Sequence, residues 1–149
     1  MKISIGCDHS ALDLKEELVS YLKSFKYDIK DCGTFNKESC DYTDFGLAVA
    51  LDVRNKTSDF GIVICYTGIG MSIIANKVQG IRCALVHCEE EAKLTREHND
   101  SNCLALSAKY TNFEEAKRIV MTWLNTPFSN GDRHIRRVEK ILKYEEEQK

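Results

Sequence analysis

Three short runs, Gly61-Ile62-Val63-Ile64-Cys65, Cys83-Ala84-Leu85-Val86 and Cys103-Leu104-Ala105-Leu106, carry no polar side chain on either alternation of a strand. A strand with one wet face alternates apolar and polar residues. A run that is apolar on both faces must be covered on both, which is the condition of a parallel sheet between helices. Strand-like runs recur about every 25 to 30 residues with helix-period segments between them, the spacing of repeated βα units. Five strands are expected, over Ile3 to Cys7, Tyr27 to Asp31, Phe60 to Cys65, Cys83 to His87 and Cys103 to Leu106, with the three continuous runs in the middle of the sheet.

Between them, Leu14, Leu18, Leu22 and Phe25 recur at helical spacing, and Ser10 with Asp13 three residues later has the form of a capping box. Further helices are expected over Phe45 to Val53, Met71 to Val78, Glu89 to Glu97, Phe113 to Leu124 and Ile135 to Glu146. The only proline, Pro127, breaks the chain before the last of these. The expectation is an α/β fold: one three-layer αβα, Rossmann-like domain over 1–149, with a five-stranded parallel sheet and a C-terminal helical extension over 134–147. That extension must dock on its own subunit or on a partner. The closing Glu145-Glu146-Glu147-Gln148-Lys149 is expected to be a frayed helix end.

At 149 residues and 43% hydrophobic, the chain is long and apolar enough for one buried core. Its 21 Lys and Arg against 23 Asp and Glu leave a net charge of -2, which provides no broad positive field for a nucleic acid. An anionic partner is therefore expected to be small and locally bound. No apolar run approaches the roughly 20 residues of a membrane span, and the start reads directly into a strand, so a cytoplasmic protein is expected. Seven scattered cysteines without a C-x-x-C pair fit a reducing compartment, with most thiols serving as small core residues and no metal site.

In an open parallel sheet, ligands bind beyond the carboxyl ends of the strands. Cys7-Asp8-His9 follows the first strand; Asp8 reads either as a site carboxylate or as a plain helix cap. Cys65 ends the third and passes at once into Tyr66-Thr67-Gly68-Ile69-Gly70-Met71-Ser72. There, glycines let successive N–H groups converge as an anion cradle. A helix N-terminus favours thiolate over thiol, so Cys65 could take a carbon-bound proton while the amides hold the resulting oxyanion. The alternative is a buried strand-end cysteine like the others. Arg96-Glu97-His98-Asn99-Asp100 offers a proton carrier in His98 and a polar donor in Asn99, or merely a solvated helix end. Arg133 and Arg137, four apart at the start of the last helix, make a phosphate clamp or a solvated basic face.

Taken together, Gly6-Cys7-Asp8-His9, Asp31-Cys32-Gly33-Thr34, Asp41-Tyr42, the block Ile64 to Val78, Arg96 to Asp100, and Arg133-His134 with Arg137 resemble the ribose 5-phosphate isomerase B family and its galactose 6-phosphate isomerase relatives. The resemblance covers essentially the whole chain. It implies interconversion of ribulose 5-phosphate and ribose 5-phosphate through a cis-enediolate, with no cofactor and no metal. By the same resemblance, Cys65 shuttles the proton between C1 and C2, and Thr67 positions or protonates the sugar oxygens. Gly68, Ile69, Gly70, Met71, Ser72 and Asn99 stabilise the enediolate, while His98 opens the furanose ring. Asp8 orients hydroxyls, Tyr42 lines the pocket, and His9, Arg133 and Arg137 hold the phosphate. The family places this site at a dimer interface, so a homodimer is implied, or a tetramer built from dimers.

Three positions depart from the family pattern. Tyr66 stands for a glycine, Lys109 for an arginine, and Thr43 for a proline. Lys109 keeps the charge but not the bidentate fork. Two other readings remain: an isomerase of a six-carbon substrate such as allose 6-phosphate or galactose 6-phosphate, and a non-catalytic module for a phosphorylated ligand. Cys65 and His98 in one chain favour the five-carbon substrate over the two-subunit galactose 6-phosphate systems. A receptor has no need of a thiol base.

Overall fold

The computed structural model describes residues 1–148. In chain order its elements are β1 (Lys2–Cys7), a 3-10 turn (His9–Ala11), α1 (Leu12–Ser24), β2 (Asp28–Asp31), α2 (Tyr42–Arg54), β3 (Phe60–Cys65), α3 (Ile69–Ala75), β4 (Cys83–Leu85), α4 (Glu89–Asn99), β5 (Cys103–Ser107), α5 (Phe113–Asn125) and α6 (Asp132–Glu147). The five strands form one parallel sheet in the order β2-β1-β3-β5-β4. The expected three-layer α/β architecture is therefore the one observed. Among the described residues, no helix is long and apolar enough to cross a membrane.

Alternation along the strands assigns the two layers. Ile3, Ile5, Ile62, Ile64, Leu104 and Leu106 point to the face covered by α1 and α5, where Leu18, Leu22, Ile119, Val120 and Trp123 complete the main core. The intervening Val63, Cys65 and Ala105 point to the other face, against Val49 of α2 and Met71 of α3. Cys65 therefore ends its strand facing the helix that begins four residues beyond it. Thr126 follows α5 and Pro127 lies beyond it, as the sequence indicates.

Four expectations need correction. The run Cys83 to Val86 does not lie in the middle of the sheet: β4 has three residues, pairs only with β5 and is half-buried along its length. The interior place belongs to β1, whose apolar pattern is interrupted by Ser4 and Gly6. Both interruptions have a physical reason. Buried Ser4 donates to Asp52 of α2 at 2.7 Å and meets Ser58 at 2.7 Å, whereas a Cβ on Gly6 would lie 2.9 Å from Val49.

Second, Ser10 and Asp13 form no capping box. Asp8 caps the 3-10 turn instead, its Oδ1 accepting from Ser10 N at 3.0 Å and Ser10 Oγ at 2.6 Å, and α1 starts after Ala11 without a side-chain cap. Third, helix ends shift: α2 begins at Tyr42, α3 spans Ile69–Ala75, α4 continues to Asn99 and α6 begins at Asp132. Fourth, only three of the seven thiols, Cys7, Cys65 and Cys103, are buried, while Cys88 is exposed. Lys149, the last residue of the expected frayed end, lies outside the described residues.

Asp52 illustrates how a polar group is carried inside this scaffold. Burial alone would raise its pKa, but hydrogen bonds from Lys30, Ser4 and Cys32 outweigh burial and hold the carboxyl below its ordinary value. The lower folded value means that Asp52 stabilises the fold in full above about pH 4, the value for an unfolded chain. That contribution is lost as pH falls through the folded value. Asp52→Asn is expected to lower stability at neutral pH and to flatten the acid limb of the stability profile. Urea midpoints from about pH 2 to 7 measure this, and an acid limb as steep as the wild type's would exclude it.

Candidate active site

The chain reverses its direction of winding between β1 and β3: α1 crosses one face toward β2, and α3 crosses the other toward β4 and β5. The crevice at such a reversal, beyond the carboxyl ends of the two strands, is where open α/β sheets hold ligands. Cys7 and Ile64 are partners in the β1/β3 register, and Asp8 N donates to Ile64 O at 3.2 Å. Asp8 and Cys65 thus leave adjacent strands side by side, at a strand spacing of about 4.8 Å. The cap reading of Asp8 holds, and it uses only Oδ1.

Cys65 is buried, and its Sγ accepts from Gly68 N at 3.2 Å. Gly68 turns the chain at φ 78°, and a Cβ there would lie 2.5 Å from Leu85 Cδ1 and 2.9 Å from Leu106 O. Gly68→Ala is expected to cost about 1–3 kcal/mol of stability for the strained backbone alone and to swing its amide away from the thiol. Chemical unfolding together with an assay checks both; wild-type stability with wild-type activity would count against it.

The cradle is narrower than the five residues expected from the sequence. Ile69 N donates to Thr67 Oγ1 at 3.3 Å, and Ser72 N already belongs to the helix, donating to Gly68 O at 3.0 Å. The amides without such a partner among the described residues are those of Gly70 and Met71 in the first turn of α3. Tyr42 packs against this turn: its ring lies so close to Gly70 that a Cβ there would be 2.6 Å from Tyr42 Cζ. His9, after β1, accepts from Cys40 N at 3.2 Å through Nδ1, so its proton sits on Nε2 and points to the other side of the ring.

The bulky Tyr66 does not disturb this turn, because its main chain is anchored separately. Tyr66 O accepts from Ser107 Oγ at 2.8 Å and from Lys109 N at 2.9 Å, and its half-exposed ring sits 5.3 Å from Lys109 Nζ. Ser107 was not singled out from the sequence. A serine at the end of an otherwise apolar strand was the available signal.

The other expected residues lie elsewhere. His98 and Asn99 form the last turn of α4, and Arg82, just before β4, fixes that turn through Asn99 O at 3.0 Å and Asp100 O at 2.8 Å. Asn102 beside them accepts from Gly61 N at the start of β3. This is the amino edge of the sheet. Cys65 lies four residues further along β3, about 13 Å away at the rise of a strand. Arg133 and Arg137 belong with His98: the rings of His98 and His134 are 4.3 Å apart, and Arg133 Nε donates to His134 Nε2 at 3.2 Å. One chain therefore presents two separate clusters, Asp8, His9, Tyr42, Cys65, Thr67 and the amide cradle at the carboxyl edge, and His98, Asn99, Arg133 and Arg137 at the amino edge.

A family model described as Ribose/Galactose Isomerase matches residues 3–141. The chain belongs to the ribose/galactose isomerase family. Ribose-5-phosphate isomerase B of Escherichia coli is 42% identical over 145 residues, 97% of each chain. Among solved structures, ribose-5-phosphate isomerase B of Clostridium thermocellum superposes with a TM-score of 0.97 at 48% identity over the whole of both chains. The Mycoplasma genitalium enzyme with bound ribulose-5-phosphate superposes with a TM-score of 0.93 at 40% identity, covering 98% of this chain and 97% of that one. Cys65, with Gly68 N–H on its thiol, and the unpartnered amides of Gly70 and Met71 lie together beyond the carboxyl ends of β1 and β3.

Of the remaining thiols, burial pushes Cys7 and Cys103 up to about 12 and Cys32 up to about 11. Cys83 is likewise raised well above the ordinary value by burial, with Cys103 opposite it. These four are protonated at neutral pH and unfit as bases.

Proposed function

We propose that this protein interconverts ribulose 5-phosphate and ribose 5-phosphate through a cis-enediolate, in sites that two copies of the chain assemble together. The observation that carries the chemistry is Cys65 Sγ on Gly68 N–H, at the sheet's point of reversal and beside the free amides of Gly70 and Met71. In the aldose-to-ketose direction, Cys65 removes the C2 proton and returns it to C1. The charge that develops on the sugar oxygens falls toward the two amides and Asn99. Thr67, its Oγ1 already accepting from Ile69 N, keeps its hydroxyl proton for O1 or O2. Asp8 offers Oδ2 to a sugar hydroxyl, and His9 offers its Nε2 proton to phosphate.

Distance supports the two-copy reading. His98 cannot open a ring lying on Cys65 of its own chain, because the two stand at opposite edges of the sheet. A second copy related by a two-fold axis can place its His98-Asn99 turn, Arg133 and Arg137 over the first copy's crevice, and receives the same in return. The surface of α6 agrees. Only His134 and Val138 of this helix are buried, His134 against His98 of α4, while Ile141 and Tyr144 face outward beside Ile81 and Ala84 and Leu142 is exposed as well. Apolar residues gathered there are what a partner chain would cover.

Incubating the purified protein with ribose, ribulose, allose and galactose phosphates in deuterium oxide tests the reading. Ribulose 5-phosphate is expected from ribose 5-phosphate, with deuterium at C1 to the extent that the Cys65 thiol exchanges with solvent while the enediolate stands. Preference for galactose 6-phosphate would overturn the substrate, and no isomerisation of any sugar would overturn the reaction.

A further inference from the structure

His134 has no part in the chemistry above, yet it is a histidine buried between two groups that do. Its Nδ1 lies 2.6 Å from Ser129 Oγ, its Nε2 accepts from Arg133 Nε at 3.2 Å, and its ring lies against His98 with centroids 4.3 Å apart at 36°. An arginine only donates, so Nε2 must be bare and the proton must sit on Nδ1, donating to Ser129. Ser129 is itself pinned, its N–H donating to Glu97 O at 3.2 Å in the last turn of α4. Burial, with help from His98, Arg133 and Arg137 and against Glu97, lowers the pKa of His134, in keeping with an uncharged ring.

From this arrangement we infer that His134 is a positioning residue, one ring that aims Arg133 at the substrate phosphate and holds His98 in place for ring opening. Tying Arg133 through Nε leaves both terminal nitrogens for bidentate contact with phosphate. The stacked ring limits rotation of His98 about its side chain. The inference rests on the isomerase reading for its substrate, but not for its geometry.

Two substitutions separate the two contacts. His134→Gln keeps an acceptor near the position of Nε2 and loses the stack; His134→Asn keeps a donor near Nδ1 and loses the acceptor for Arg133. The Asn variant is expected to weaken inhibition by inorganic phosphate and raise KM about tenfold, the scale of a hydrogen bond to a charged group. The Gln variant is expected to hold both near wild type, yet to slow turnover of ribose 5-phosphate more than that of ribulose 5-phosphate. In an Arg133→Ala background, His134→Asn should have no further effect on phosphate. Equal phosphate affinity in the Asn and Gln variants, or additive losses with Arg133→Ala, would overturn the role. Nitrogen-15 spectra of the unliganded wild type provide a reading that needs no variant to fold: a proton on Nδ1 of His134 supports the arrangement and a proton on Nε2 refutes it. The spectra and the phosphate arm use no sugar, so they decide this role even if the substrate assignment fails.

Discussion

Cys65→Ala is expected to lower isomerisation about a thousandfold, within the range for removing a positioned general base, while substrate affinity changes little. The side chain is small and buried at the end of its strand, so alanine fits the space without disturbing β3. The amides of Gly70 and Met71 remain to hold the sugar oxygens. Equilibrium binding of ribulose 5-phosphate, measured beside turnover and deuterium exchange, separates the two effects. A variant that binds and still exchanges deuterium at the wild-type rate would remove Cys65 from the mechanism. One that fails to bind would instead make the thiol a packing residue of the cradle.

The second large effect concerns assembly. Cys65→Ala and His98→Ala are each expected to be nearly inactive on ribose 5-phosphate. Mixed after unfolding and refolded together, they are expected to recover about a quarter of wild-type activity. Random pairing makes half the dimers hybrid, and in each hybrid one of the two symmetric sites has both residues intact. A site confined to one chain would recover nothing, because every chain carries one defect. The assay must start from the cyclic aldose. With ribulose 5-phosphate the His98 variant alone should retain activity, since no ring needs opening.

The sequence made the carboxyl-edge cluster legible because its members follow strand ends directly: Asp8 after β1 and Cys65 with its glycines after β3. Ligand position in parallel sheets is a property of the architecture, so identifying the strands was enough to find the crevice. The amino-edge cluster was legible only as residue types. Nothing in the spacing of His98, Arg133 and Arg137 states that they lie beyond reach of Cys65; that follows from α4 running back along the sheet. The place of β1 was hidden because Ser4 and Gly6 dilute its hydrophobic pattern, and their justification is tertiary: an Asp52 partner for one, a close Val49 for the other. The apolar composition of β4 suggested deep burial, whereas an edge strand with only one neighbour leaves such residues for something outside the chain. The extent of the amide cradle was overestimated for a local reason. Thr67 and the first helical hydrogen bond consume two of its donors, and a motif does not show which N–H groups are already spent.

The separation of the two clusters across the sheet has a consequence for how output scales with supply. In the shared site proposed above, a lone folded chain would hold both halves of the machinery and use neither, so the rate per chain would depend on encounter between chains. Well below the dimer dissociation constant, total flux rises with the square of the amount synthesised; well above it, the dependence becomes linear. A twofold change in expression at low abundance is then about a fourfold change in sugar-phosphate turnover, by mass action alone.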